Sequence, residues 1–135
     1  MKKTTYLTWL IALSGILGSQ LSFASYPSKQ ELAHQCKQEE RRLILMVQEK
    51  LRDKCAGDVM VAAAYLSAAE LQIRHEHYDE ALVSLHYSEA ELKEIAYSRA
   101  YCTHFSSDVK PAIARVITIS SELDVLERMK LKSPS

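Results

Sequence analysis

Glycine is scarce in this sequence. There are three in 135 residues, and two of them, Gly15 and Gly18, fall in the first twenty. Only Gly57 serves the rest of the chain. Phosphate-cradling loops and nucleophile elbows lean on glycine, because it alone takes positive φ freely and lets a backbone approach a ligand closely. The shortage argues against most enzymes built on such turns. Serines and histidines are present, but no spacing among them holds a nucleophile against a base. The chain is therefore not expected to be an enzyme, and no cofactor is implied.

Other absences narrow the class further. Beyond Lys2-Lys3, the basic pair Arg41-Arg42 is set among glutamates, so no basic stripe matches a nucleic-acid backbone and nucleic acid is not an expected partner. No apolar run reaches the ~20 residues of a spanning helix. The longest, from Tyr6 to Leu17, follows Lys2-Lys3 and leads to Ser22-Phe23-Ala24. That order of charged, apolar and small-x-small segments is the pattern of a secretory signal, expected to be cleaved after about Ala24 without leaving a stable membrane anchor. Removal of residues 1–24 takes away two lysines and no acid, leaving 15 basic against 17 acidic residues. A periplasmic or secreted, bacterial protein is the expectation, with residues 25–130 as a single domain and 131–135 as a frayed tail.

What is present is helical periodicity. Ser28-Lys29-Gln30-Glu31 has the form of a capping box opening a helix over 29–55, with Leu32, Cys36, Leu43, Val47 and Leu51 on one stripe and Glu39 and Glu40 interrupting it. Gly57 is placed to stop that helix and Asp58 to cap the next, over 58–74. The stretch "VMVAAAYLSAAELQI", Val59 to Ile73, is apolar most of the way round and predicts a central helix closely approached by its neighbours. Tyr78, Ala81, Leu82, Leu85, Ser88 and Leu92 mark a third helix over 78–100. A fourth, over 109–130, is capped by Asp108, tolerates Pro111 in its first turn and buries Val109, Ile113, Val116, Ile117, Ser120, Leu123 and Leu126. No stretch alternates strongly with period two. The fold class is all-α, either a four-helix antiparallel bundle or a short stack of helical hairpins.

Within residues 61–94, Tyr65, Ala69, Tyr78, Ala81, Leu85 and Ser88 fall at spacings that resemble one tetratricopeptide repeat, with Leu85 in place of the usual aromatic. Gln72 and Lys93 depart from the family's tyrosine and proline. The resemblance spans one 34-residue unit and implies partner recognition by helical surfaces.

Cys36, Cys55 and Cys102 allow one disulfide and one remaining thiol in an oxidising compartment. Cys36 and Cys55 are separated by about 28 Å on a continuous helix, far beyond the ~7 Å reach of a bridge. Cys55 and Cys102 share a pole of an up-down-up arrangement, provided the third helix stops or bends near Tyr97. Cys36 then reads as a buried small hydrophobe or as a thiol for a partner chain.

Two further groups of residues are singled out by type. His75 and His77 flank Glu76 and are the candidate ligands of a metal- or redox-active protein, with Cys36 as a third group, although two imidazoles in a turn do not make a rigid cage. Glu31 and His34 have the E-x-x-H spacing of di-iron bundles but lack a second copy. Tyr97, Arg99, Tyr101 and Phe105, aromatic and guanidinium groups near one pole, form the preferred contact surface for a protein partner. The expected function is protein–protein interaction, as an adaptor, chaperone-like factor, inhibitor or secreted host-directed factor.

Overall fold

The computed structural model describes residues 27–132. The expected leader, residues 1–24, lies outside them, as do residues 133–135 at the end of the tail. Four α-helices carry the described chain: α1 Lys29–Gln48, α2 Ala56–Arg74, α3 Tyr78–Lys93 and α4 Lys110–Lys132. They pack as a ring, α1 on α2, α2 on α3, α3 on α4, and α4 back on α1 in the thinnest of the four contacts. No strand occurs among the described residues, and the all-α bundle is as the periodicity requires. None of their helices is long and apolar enough to cross a membrane.

Ser28 opens α1 as its N-cap, and its Oγ accepts the Glu31 backbone N–H at 3.1 Å. This satisfies one of the donors a helix start leaves free. At the other end α1 stops at Gln48, seven residues short of the expected boundary. Residues 49–55 instead form linked turns, with the Lys50 N–H on Val47 O, Asp53 on Lys50 O and Ala56 on Asp53 O. The Asp53 carboxylate accepts the Cys55 N–H at 2.8 Å, an Asx-type bond that competes with helix. Gly57 is consequently no stop signal: it lies inside the first turn of α2, its φ is not positive, and Asp58 follows it within the helix. Leu51, placed by the pattern on the buried stripe, is exposed beyond the end of α1.

The core runs through all four helices. Leu32, Cys36, Leu43 and Val47 of α1 meet Val59, Ala62, Leu66 and Ile73 of α2; Tyr78, Ala81, Leu85 and Leu92 of α3 and Val116 and Leu123 of α4 complete it. In α4 the buried stripe passes through Ile119, while Ile117 points outward. Ser88, at a buried position of α3, donates its hydroxyl to Ala62 O at 2.9 Å, so a polar atom is satisfied where the helices approach closely. Along the same seam Ser84 meets the Gln72 amide at 2.7 Å.

The third helix bends where the Cys55–Cys102 bridge needs it to. α3 ends at Lys93, Glu94–Ser98 form a π turn, Arg99 is extended, and a 3-10 turn, Ala100–Cys102, leads into the loop before α4. The expected single helix to residue 100 is thus broken at Arg99. Asp108, expected to cap α4, instead holds Lys50 Nζ at 3.1 Å. Pro111 does sit in the first turn of α4, where its missing N–H costs no helix bond.

Candidate functional site

At the pole where α2 begins, Cys55 and Cys102 form a disulfide with a Cα–Cα separation of 5.0 Å, and both residues are fully buried. Asp58 lies in the first turn of α2 with a carboxylate oxygen 3.9 Å from the Cys102 sulfur. Arg99 spans Asp58 and Glu91, 3.3 Å from the former and hydrogen bonded to the latter, and Glu91 above all raises its pKa. The Tyr101 hydroxyl is held by Asp58, which raises its pKa too. The bridge is sealed from solvent and has a carboxylate for a neighbour. Both features disfavour attack by an external thiol and the release of a thiolate. It is a structural clamp.

The four residues singled out as a contact surface separate here. Tyr97 is 71% exposed, with Lys110 Nζ 5.2 Å from its ring centre. Tyr101 is half exposed. Arg99 is committed to its two carboxylates. Phe105 is completely buried, beneath Lys50 Nζ at 5.1 Å, and covers the core. Its spacing from Tyr101 matches one helical face, but the chain between them is not a continuous α-helix. The group therefore presents two tyrosines, and no continuous patch.

His75 and His77 are exposed in the turn between α2 and α3, with ring centres 6.4 Å apart. His77 faces Glu80 at 3.7 Å. Between them Glu76 adopts φ 60°, and the N–H groups of His77 and Glu76 close on Gln72 O and Ile73 O at 2.8 and 3.0 Å. That pair of bonds is a Schellman motif, so this stretch is a helix C-cap in its own right. Cys36 is on α1, fully buried; desolvation, with Glu70 and Glu39 nearby, pushes its thiol up to about 12. Among the described residues the only three ligand-type side chains whose donor atoms lie within 4.8 Å of one another are Cys55, Asp58 and Cys102, two of them already oxidised to the disulfide. Neither imidazole nor Cys36 belongs to such a set.

α2, which the sequence pattern assigns to the interior, presents one side to solvent. Gly57, Met60, Val61, Ala64 and Leu71 recur along α2 at helical spacing, and all are exposed. Its two neighbours in the ring cover the flanks of α2 but not its outward side, so its apolar character continues to the surface. On α3, Val83 and Tyr87 extend that face, and Tyr87 stacks on Tyr65 of α2 with centroids 5.3 Å apart. From Gly57 to Leu71 no charged side chain interrupts the outer line of α2. The available signal is that apolar side chains in "VMVAAAYLSAAELQI" are spread almost evenly round the helix, a distribution consistent with burial or with an uncovered apolar face alike.

No family model matches the chain, and neither a curated protein nor a solved structure is significantly similar to it.

Proposed function

We propose that this protein acts by binding another protein, outside the cytoplasm, through the uncharged outer line of α2 and the adjoining Val83 and Tyr87 of α3. The observation that carries this is the run Met60, Val61, Ala64 and Leu71, exposed and without a charge, continued by Val83 and Tyr87. Exposed apolar surface that is contiguous marks interaction sites more than scattered apolar residues do. An apolar helical surface of a partner, laid against the exposed side chains of α2 and α3 with the Tyr65–Tyr87 stack as its aromatic anchor, is the fitting occupant. Adaptor, chaperone-like and inhibitor roles all use such a face. The helical-hairpin resemblance of residues 61–94 supports the same reading, since repeats of that kind recognise partners by helix surfaces. The signal-like first 24 residues and the buried disulfide support a periplasmic or secreted setting.

The test is cross-linking capture from the native envelope or medium with three versions of the protein: wild type, Val61→Glu and Tyr97→Ala. The reading requires one partner that wild type and Tyr97→Ala both capture and Val61→Glu loses while remaining folded. Capture that survives Val61→Glu, or that fails with Tyr97→Ala alone, would overturn the assignment of this face.

A further inference from the structure

On the opposite side of the ring, between α1 and α4, lies the one buried charged side chain among the described residues. Glu39 is 2% exposed. Its Oε1 accepts from Arg42 of the same helix and from Arg115 of α4, while its Oε2 has no partner among the described residues. A carboxylate is taken out of water only where cations meet it, and here two cations share it. The two guanidiniums remain 50% and 43% exposed. Each carries five N–H groups and gives Glu39 one; among the described residues neither donates elsewhere. Glu39 thus acts as a buried counter-charge that keeps two arginines side by side at the surface, against their mutual repulsion.

Those arginines line a groove of about 360 Å³. It exists because α1 and α4, the first and last helices, make the thinnest contact of the ring. Ile119 gives it an apolar floor, and Gln35, Gln38 and Thr118 put amides and a hydroxyl on its walls. The charges in the lining are two arginines and one glutamate, so the groove is short of one negative charge. A single carboxylate supplies that charge and matches the fork of a guanidinium with two parallel hydrogen bonds. A phosphate dianion overfills the charge.

We infer that the α1–α4 groove is a recognition site for one carboxylate, carried by an acidic peptide side chain or chain terminus, or by a free small acid. Arg42 and Arg115 clamp the carboxylate, Ile119 receives the aliphatic stem, and the glutamines and Thr118 meet the polar groups beside it. The site is independent of the α2–α3 face, which lies across the ring.

The experiment is a titration of the protein with acetate, N-acetylglutamate, a neutral heptapeptide containing one glutamate, and inorganic phosphate, read at the arginine Nε–Hε signals by NMR. The expected result is saturable shifts of the Arg42 and Arg115 signals with the carboxylates and weaker binding of phosphate. Arg115→Gln weakens carboxylate binding about tenfold or more, the loss of a charge-assisted bond. Should that variant fail to fold, Arg115→Lys, which keeps the charge and loses the fork, must show the same weakening. A heptapeptide that binds about tenfold more tightly than acetate identifies a peptide as the source, and equal binding identifies a free acid. Absence of saturable shifts in the folded wild type, carboxylate binding unchanged in the arginine variants, or phosphate binding more tightly than acetate would each overturn the inference; a purely structural ion triad gives the first of these.

Discussion

The carboxylate of Asp53 accepts the backbone N–H of Cys55 at 2.8 Å and with its other oxygen meets His104 Nδ1 at 2.7 Å. One side chain therefore ties the residues just before Cys55 to those just after Cys102, and the two shoulders of the disulfide are held together twice, once covalently. The Cys55 N–H, followed by His104, holds the Asp53 carboxyl below its usual value. A carboxyl whose folded pKa is depressed stabilises the fold above its unfolded value of about 3.9, and that contribution is lost as pH falls through the folded value. Asp53→Asn should accordingly lower the melting temperature at about pH 5–6 and converge with wild type as the acid is protonated below about pH 4. Thermal unfolding of both proteins across the acid range checks this; a difference that stays constant with pH would show that the Asp53 charge plays no part.

The disulfide itself joins residues 47 apart in sequence, and in the chain-entropy account a loop of that length contributes ~3–4 kcal/mol. Because both sulfurs are buried, native protein should resist mild reductant and react only on opening. The double substitution Cys55→Ala/Cys102→Ala is expected to lower the melting temperature by roughly 15 °C, at about 4 °C per kcal/mol for a domain of this size. A fall of only about 3 °C would mean that the hydrogen bonds of Asp53, Lys50 and Arg99 already fix this pole, and that the bridge adds little.

The fold is legible where apolar spacing is strong. Leu32, Cys36, Leu43 and Val47 on α1, and Tyr78, Ala81, Leu85 and Leu92 on α3, are buried as their intervals of three, four and seven residues demand. The pairing of Cys55 with Cys102 is as the order of the helices requires; the continuous helix to residue 55 that separated Cys36 from Cys55 ends at Gln48, although the helical residues from Cys36 to Gln48 still span about 18 Å. What escapes the pattern is set by local backbone chemistry or by tertiary placement. α1 ends at Gln48 and gives way to turns, one of them held by the Asp53 carboxylate on the Cys55 N–H, a local competition that periodicity does not register, and so the pattern assigns Gly57 a role it does not have. Glu39 reads as a break in an apolar stripe, yet it is buried because Arg115, 76 residues on, reaches it. No spacing rule announces a partner that distant. Phe105 shares an interval with Tyr101 that is meaningful only on a helix, and the π turn and Arg99 end that helix first. The outer face of α2 passes for interior because an apolar helix is equally consistent with a further neighbour or with none.

Cys36 gives a sharper test of burial. It is fully enclosed, and desolvation in first place, with the carboxylates of Glu70 and Glu39, raises its thiol to about 12. A thiol raised in the folded state stabilises the fold below its unfolded value of about 8.5, and this is lost as pH climbs towards the folded value and the unfolded chain ionises first. Native protein at pH 8 should therefore take up no iodoacetamide at Cys36, and one equivalent after denaturation without reductant. Stability should decline between about pH 9 and 11 relative to Cys36→Ala after correction for the cavity, since the alanine variant has no thiol to ionise. Labelling of the native state at pH 8 would place the thiol at the surface and reopen its use in an intermolecular bridge or a metal site.

The turn between α2 and α3 supplies a prediction whose sign depends on one backbone angle. Glu76 sits at φ 60°, a region that costs a residue with a Cβ ~1–2 kcal/mol and costs glycine almost nothing. Its side chain offers little in return, since the Lys29 contact is at 4.0 Å with both groups partly exposed, and such pairs contribute ~0–1 kcal/mol. The bonds that matter, from the His77 and Glu76 N–H groups and from Lys130 Nζ to Glu76 O at 2.7 Å, all involve backbone atoms of this turn that any residue at position 76 retains. Glu76→Gly gains the relief of the left-handed strain and loses ~0.5–1 kcal/mol of unfolded-chain entropy and the weak ion pair. The expected balance is a small stabilisation, on the order of 0.5 kcal/mol. Glu76→Val, with its branched Cβ in the same region, should destabilise by more than about 1 kcal/mol. Urea unfolding of the three proteins separates the cases: opposite signs for glycine and valine establish the Schellman cap as the structural role of this stretch, and equal losses for both would mean that the Glu76 side chain itself is what the turn needs.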